Sequence, residues 1–321
     1  MIFQGFERRV TKLFDLHYDL LTYIYVNKNN IEKIKKHCKK IFENNDYGGV
    51  FNLFYMSKKE MKEELNINEE EIDIIKNLEK AKKTIQEEKL IPNNVKYIFG
   101  IEGLDYLQKI EDIDILYENG VRSVNPVWSN SNKFGGGIRN ENQGLTNLGK
   151  KLIYKLIEKE IAIDLSHANK KTFWDVIKIC EDLKSYNPKV MASHSNSKEI
   201  CDVPRNLEDS QIIAIKDLGG IIGAVSIKNF CKDTKNLNEE FEKEYIKHIN
   251  HIKYILGGVD NIGVATDDMS YYEIDPEYYK NLNIYKLENI SLQLQKLLIR
   301  NGYTESETEK ILYKNAERIL L

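Results

Sequence analysis

Histidines and carboxylates follow short apolar segments at several points of this 321-residue chain. In the segment FDLHYDL, His17 and Asp19 are two residues apart, so on an extended strand both side chains point to the same side. Such a pair can bind a metal ion, or it can form an ordinary buried ion pair. The other candidates are Glu102 in GIEG, His167 in DLSH, His194 in ASHS and Asp267 in ATDD. Half of the chain's 6 histidines occur at these positions.

Each of these residues has a structural interpretation when it is taken alone. A histidine after a strand is often a hydrogen-bonded core residue, Asp267 could cap the next segment, and Glu102 could serve a turn. Taken together, so many buried carboxylates would be costly without cations. The mixture of nitrogen and oxygen ligands suits zinc, and a carboxylate can bridge two ions. Two such ions, about 3.5–4 Å apart, would hold a hydroxide and polarise a scissile carbonyl, so the pattern predicts a hydrolytic site.

These residues must be positioned by secondary structure, and the sequence predicts a strand followed by a helix that repeats along the chain. Strands are predicted near residues 12–16, 48–54, 96–101, 121–127, 161–165, 189–193, 220–226 and 261–266. Eight such repeats predict an α/β fold of the (β/α)8 barrel type, whose active sites lie at the C-terminal ends of the strands. A doubly wound open sheet is the alternative, but no G-x-G-x-x-G follows the first strand. We expect residues 1–321 to form a single domain.

Several segments outside the strand ends also give testable expectations. Residues 58–90 are highly charged and predict two helices, and residues 287–320 predict two closing helices. Thr304 and Glu307 match a capping box at the start of the last one. The remaining histidines are His37, His248 and His251. We assign them packing or surface roles, with His37 on a solvated helix face.

Composition excludes some classes of function. Hydrophobic residues make up 41% of the chain and charged residues 30%, and the formal net charge of −3 offers no field that would collect nucleic acid or an anionic membrane. No apolar stretch approaches the roughly 20 residues that span a bilayer, and MIFQGFERRV does not resemble a signal peptide. The 4 cysteines form no C-x-x-C pair, so we expect free thiols and a cytoplasmic protein.

The chain resembles the membrane dipeptidase (renal dipeptidase) family of dizinc peptidases. The resemblance covers nearly the whole sequence, and DLSHANKKTFWDV and ASHSNSKEICDVPRNL are its most specific segments. It implies hydrolysis of small dipeptides, including those with a C-terminal D-residue, and a possible homodimer. It also implies two Zn²⁺ bridged by Glu102, with Asp267 as general acid/base and Arg205 gripping the substrate carboxylate. The implied zinc ligands are His17, Asp19, Glu102, His167 and His194.

The sequence departs from the family pattern at two places. Many members have a histidine after the fourth strand that steadies the oxyanion, whereas this chain has Trp128. The family usually reads Asp-Phe-Asp-Gly after the eighth strand, whereas here Asp268 and Met269 follow Asp267. These changes leave two alternatives open. The protein could hydrolyse another small amide, an N-acyl amino acid or a lactone, with Trp128 reshaping the pocket. It could also be a binding protein that retains metals but has little activity.

Overall fold

Eight parallel strands form a closed barrel in the order β1 to β8, with β1 paired to both β2 and β8. The computed structural model describes residues 12–43, 46–232, 241–269, 271 and 282–321. The strands are β1 Lys12–Tyr18, β2 Asp46–Phe54, β3 Tyr97–Glu102, β4 Val121–Asn125, β5 Ala162–Asp164, β6 Val190–Ala192, β7 Ile221–Val225 and β8 Ile262–Ala265. The predicted (β/α)8 barrel is confirmed. Strand β4 ends before its predicted boundary, because Pro126 cannot donate a ladder hydrogen bond.

Helices surround the barrel and connect its strands. Their bounds are Leu20–Val26, Ile31–Phe42, Lys58–Leu65, Ile74–Glu87, Asp112–Glu118, Asn147–Glu158, Lys170–Asp182, Asp209–Asp217, Lys228–Cys231, Phe241–Leu256, Ile290–Arg300, Glu305–Glu309 and Asn315–Leu320. The last two are joined by a π-turn over Lys310–Lys314 into one continuous segment. Both predicted helix pairs are therefore present. The Thr304–Glu307 capping box is confirmed, since each side chain bonds the other residue's backbone N–H.

Alternation along the strands separates two apolar layers. Side chains such as Phe14, Val50 and Met191 fill the interior of the barrel, whereas residues such as Leu13 and Phe51 pack between the strands and the helices. Polar residues replace this apolar filling at the C-terminal ends of the strands. The interior core therefore supports a polar layer at one mouth of the barrel.

Two minor predictions have different outcomes. All four cysteines are buried thiols that form no disulfide within the described ranges, in agreement with the prediction. The placement of His37 on a solvated face is wrong. Its ring stacks on Tyr23 with centroids 3.7 Å apart and hydrogen-bonds the hydroxyl of Tyr18, so the helix Ile31–Phe42 turns this histidine towards the barrel.

The other histidines have the packing roles predicted for them. Within the described structure, buried His248 accepts the N–H of Ser197 and contacts the carbonyl of Cys231, while His251 pairs with Asp209. No helix in the described ranges is long and apolar enough to cross a bilayer. The N-terminal segment MIFQGFERRV lies outside the described residues.

Candidate metal centre

The five predicted metal ligands meet at the C-terminal mouth of the barrel. Glu102, the last residue of β3, lies at the centre of the group. Its Oε2 is 3.1 Å from His17 Nε2, and its Oε1 is 2.7 Å from His167 Nε2 and 3.4 Å from His194 Nε2. All four side chains are buried. Three ring nitrogens from different strand ends therefore point at one carboxylate.

Asp19 completes the side of the group nearest to β1. Its Oδ2 accepts a hydrogen bond of 2.8 Å from the hydroxyl of Tyr271. Its Oδ1 is buried, is 3.5 Å from His17 Nε2, and has no hydrogen-bond partner among the described residues. Burial raises the pKa of Asp19, so its ionised form needs a cation beside it.

A register shift in β1 brings His17 into the interior. The pairing of β1 with β2 is irregular between Asp15 and Tyr18. Buried Asp15 accepts the N–H groups of His17 and Thr266, each at 3.0 Å, and the hydroxyls of Thr266 and Tyr47. Burial raises the pKa of Asp15 to about 6. Asp15 therefore joins the end of β1 to the segment after β8, which carries Asp267.

Besides a set made of His17, Asp164 and His194, the donors form two groups that share Glu102 and suit metal ions. One consists of His17, Asp19 and Glu102, and the other of Glu102, His167 and His194, with the ligand atoms of each group within 4.8 Å of one another. The Nε2 atoms of His167 and His194 are 3.0 Å apart. Two nitrogen lone pairs at this separation repel unless a cation or proton lies between them. The donor set therefore fits zinc-type cations, and Glu102 is common to both groups.

Burial and neighbouring charges shift the ionisation of these ligands. Burial, with the charge of Arg205 acting in the same direction, lowers the pKa of His167 to about 4. Burial and the charge of His17 hold the pKa of His194 well below its usual value. Burial opposes ionisation of Glu102, but His17 and His167 bring its pKa well below the usual range. Burial disfavours the charged form of His17, but Glu102 and Asp19 raise its pKa well above the usual value. Neutral imidazoles and an ionised carboxylate are the forms that bind metals, so a metal ion at His17 would replace a proton.

Asp267 lies beside the metal-ligand groups but is not a member of either. Its backbone has a φ of 48°, and its N–H donates to the carbonyl of His17 at 2.9 Å. Its Oδ1 is 4.0 Å from His17 Nε2. Burial raises the pKa of Asp267 to about 7, with the negative charges of Glu102 and Asp19 acting in the same direction. A carboxyl group with such a pKa can both accept and donate a proton near neutral pH.

Arg205 is also brought to this mouth of the barrel. Its Nη2 is 3.0 Å from His167 Nε2, and its guanidinium lies 5.4 Å from the ring centroid of Phe230. Its Nη1 is buried and has no hydrogen-bond partner within the described structure. Arg205 lines a cavity of about 520 Å³, together with residues that include Asn169, Lys170 and Glu208. A buried donor beside a cavity can receive an anionic group.

Trp128 forms an aromatic wall next to the ligands. Its ring stacks on His167 with centroids 5.7 Å apart and meets Phe54 edge-on at 5.1 Å. The guanidinium of Arg139 lies 5.0 Å from its centroid on an exposed part of the mouth. In the segment after β8, half-buried Met269 packs against the apolar core of the barrel. Trp128 therefore contacts one of the predicted ligands, and no departure from the family pattern removes a predicted ligand.

Sequence reasoning missed two buried positions that face the same polar layer. Asp164, the last residue of β5, accepts hydrogen bonds from Ser166 and Ser193. Asn125, the last residue of β4, pairs in register with Glu102, and both polar atoms of its amide lack partners in the described ranges. The sequence contains a pattern that indicates Asp164. The dipeptide Asp-Leu comes shortly before a predicted ligand histidine both in LFDLH, before His17, and in AIDLSH, before His167.

Comparison with known proteins identifies the family. The sequence model of the membrane dipeptidase family, peptidase family M19, matches residues 8–321. The chain belongs to this family. A protein encoded in the pqqA 5′ region of Klebsiella pneumoniae is 30% identical over 234 residues, which are 70% of this chain and 80% of that protein. An Acinetobacter calcoaceticus protein from the PQQ-III 3′ region is 31% identical over 170 residues, covering 50% of this chain and 51% of the relative's length.

Solved structures of membrane dipeptidase family members and of other hydrolases share the barrel. The metallopeptidase called dipeptidase AC superposes with a TM-score of 0.75 at 22% identity, covering 97% of this chain and 98% of that one. A Rhodobacter sphaeroides metallopeptidase bound to a phosphinate mimic of L-Ala-D-Ala gives 0.74 at 20% identity, covering 97% and 99%. Organophosphorus hydrolase from Deinococcus radiodurans gives 0.53 at 9% identity, covering 98% and 93%. At these identities the likeness concerns the fold.

Proposed function

We propose that this protein is a zinc-dependent dipeptidase that hydrolyses the peptide bond of small dipeptides. The observation that carries the proposal is the pair of ligand groups sharing Glu102, with Asp267 beside them. His17, Asp19 and Glu102 would hold one Zn²⁺, and Glu102, His167 and His194 would hold the second. When bound, the two ions would supply an activated water and polarise the scissile carbonyl.

The chain's own residues would perform the proton transfers and hold the substrate. The Asp267 carboxylate accepts a proton from the attacking water and delivers it to the nitrogen of the leaving amine. Its pKa of about 7 belongs to the chain without metal ions, and Zn²⁺ beside it would lower that pKa and favour the carboxylate that accepts the proton. The unpartnered Nη1 of Arg205 faces the substrate's terminal carboxylate, which limits the enzyme to short peptides with a free C-terminus.

Metal analysis combined with a substrate panel tests this function. We expect about two zinc ions per purified chain, hydrolysis of dipeptides such as L-Ala-L-Ala and L-Ala-D-Ala, and loss of hydrolysis after chelation. The Rhodobacter structure with its L-Ala-D-Ala mimic supports including a C-terminal D-residue in the panel. A fully active chain that contains no transition metal would contradict the proposal.

Hydrolysis of another small amide, an N-acyl amino acid or a lactone is the second candidate. The contact of Trp128 with the ring of His167 favours considering it, because this wall changes the shape of the pocket beside the ligands. Cleavage of N-acyl amino acids with no cleavage of dipeptides would support this candidate. Two bound metals with no hydrolysis of any panel member would instead indicate a binding protein.

Three further parts of the proposal concern the whole molecule. We infer a single domain over residues 1–321 and a cytoplasmic location, and the family resemblance makes a homodimer the assembly to test first. Gel filtration with light scattering tests the dimer, limited proteolysis tests the single domain, and cell fractionation tests the location.

A further inference from the structure

A single buried hydroxyl connects the two ligand groups on the side away from Glu102. Ser193 Oγ lies 2.6 Å from His194 Nδ1 and 3.2 Å from His17 Nδ1, and it also hydrogen-bonds Asp164 Oδ2. These residues are all buried, with side chains that face the interior of the barrel at its polar mouth. Of the two groups that share Glu102, one contains His17 and the other His194, and both histidines also form a third set of possible ligands with Asp164.

The partners of Asp164 fix its role as an acceptor. Its Oδ1 accepts the backbone N–H groups of Ser166 and Ser193, each at 3.0 Å, and the Ser166 hydroxyl at 2.6 Å. An ionised carboxylate accepts hydrogen bonds and donates none. The remaining contact, between Asp164 Oδ2 and Ser193 Oγ, therefore uses the hydroxyl proton of Ser193.

The count of protons then determines the state of both histidines. A serine hydroxyl has one proton and two acceptor positions. Since the proton of Ser193 goes to Asp164, its oxygen can only accept from His17 and His194. Both rings must therefore carry a proton on Nδ1, and in a neutral ring the lone pair is then on Nε2. These Nε2 atoms are the nitrogens that face Glu102.

We propose that Asp164 and Ser193 are positioning residues that set the Nδ1–H tautomer of His17 and His194 at the same time. The hydroxyl of Ser193 orients one ligand of each metal group. Removal of this hydroxyl should therefore weaken metal binding at both sites. His167 is held separately, because its Nδ1 is 3.1 Å from the hydroxyl of Ser129. The inference rests on the proposed metal centre.

Substitutions at these residues distinguish the linked histidines from the separate one. Loss of an outer hydrogen-bond partner typically lowers metal affinity by about 10–100-fold. We expect Ser193→Ala to lower the affinity for both zinc ions by such a factor. Ser129→Ala is the matched control, and it should weaken only the zinc held by His167. Competition with a chromophoric chelator, performed on the full chain, measures both affinities.

Asp164→Asn gives a sharper, spectroscopic test. In the variant, the amide oxygen of the new side chain can accept the three hydrogen bonds that Asp164 Oδ1 accepts in the wild type. The amide NH₂ group must then point at Ser193 Oγ and donate to it. Ser193 must then donate its own proton to one imidazole, and that ring changes to the Nε2–H tautomer, which cannot bind metal through Nε2. ¹⁵N-histidine NMR of the full chain, zinc-loaded and after chelation, reports each tautomer.

The NMR experiment also separates this inference from the proposed function. The expected wild-type result is Nδ1–H for both His17 and His194, with one of them switched in Asp164→Asn. A wild-type His17 or His194 whose Nδ1 carries no proton would overturn the inference, as would wild-type zinc affinities at both sites in Ser193→Ala. A wild-type chain that binds no zinc would refute the proposed metal centre, while its tautomers would still decide the positioning role.

Discussion

The two sides of the barrel mouth are built differently. On the side of β1 and β6, His17 and His194 each have a second hydrogen bond at Nδ1 to the buried hydroxyl of Ser193, while the Nδ1 of His167 bonds Ser129, next to Trp128. On the side of β4, Trp128 is held by ring contacts with Phe54 and His167 and by the exposed guanidinium of Arg139. Directional hydrogen bonds fix an imidazole in one orientation, whereas aromatic contacts tolerate small rotations.

This difference separates chemistry from selectivity. The hydrogen-bonded side holds atoms that must meet reacting groups within tenths of an ångström. The aromatic side needs only to exclude or admit substrate shapes, so it can change without loss of the reaction. We therefore expect substitutions on the first side to reduce rate and substitutions on the second to change substrate range.

Asp267→Asn should have the largest effect on rate. The amide keeps the size of the side chain but cannot accept a proton from water, and a positioned acid/base contributes about 10²–10⁴-fold to rate. We expect kcat to fall by this factor with zinc content unchanged, measured by steady-state kinetics and elemental analysis. Retention of more than a tenth of the wild-type kcat would assign proton transfer to another residue.

Most of the hydrogen-bonded side could be predicted from sequence. His17, Glu102, His167 and His194 lie at or just after strand ends, and parallel strands in a barrel bring their C-terminal ends to one mouth. The role of Ser193 could not be predicted in this way. Its contact with two rings depends on the relative heights of β1 and β6, which no local pattern encodes. The placement of His37 failed for a similar reason, because it depends on how one helix rotates against Tyr23.

Arg205→Ala should have the next largest effect, limited to substrates with a free carboxylate. Truncating one partner of a buried charge pair costs about 2–5 kcal/mol, which corresponds to roughly 30–5,000-fold in kcat/KM. We expect this loss for dipeptides and little change for the slower cleavage of dipeptide amides. Lys170→Ala is the control, because this lysine lines the same cavity but is exposed and paired with Glu208. Equal losses on both substrate classes would contradict the anchoring role.

The pH dependence of stability tests the environment of Asp267 in the metal-free chain. Its pKa is about 7 in the folded protein, compared with an ordinary value of 3.8. The folded state therefore binds this proton more tightly than the unfolded state does. The contribution to stability is therefore present below pH 4 and is lost as the pH rises towards 7 and above. The difference between these two pKa values corresponds to at most about 4 kcal/mol in the free energy of unfolding.

Asp15 has a pKa of about 6, so its contribution to stability is also lost as the pH rises. Because Asp15 is present in both proteins, the difference between wild type and Asp267→Asn reports on Asp267 alone. We expect the free energy of unfolding of the chelated wild type to fall, relative to the variant, between pH 4 and pH 8. Denaturant unfolding at several pH values measures the difference. If the difference between wild type and variant is independent of pH, Asp267 is not shielded from water as the structure shows.

Trp128→Ala should have the smallest effect on rate and the clearest effect on substrate range. An indole has one N–H donor, and loss of a true oxyanion donor lowers rate by about 10²–10³-fold. If Trp128 is a wall, kcat on small dipeptides should fall by less than about tenfold, and bulkier dipeptides should become substrates. Trp174→Ala is the matched control, since the chain's other tryptophan lies on the helix Lys170–Asp182. A loss of 100-fold or more on every dipeptide would show that the aromatic side takes part in the chemistry, and the contrast between the two sides would no longer hold.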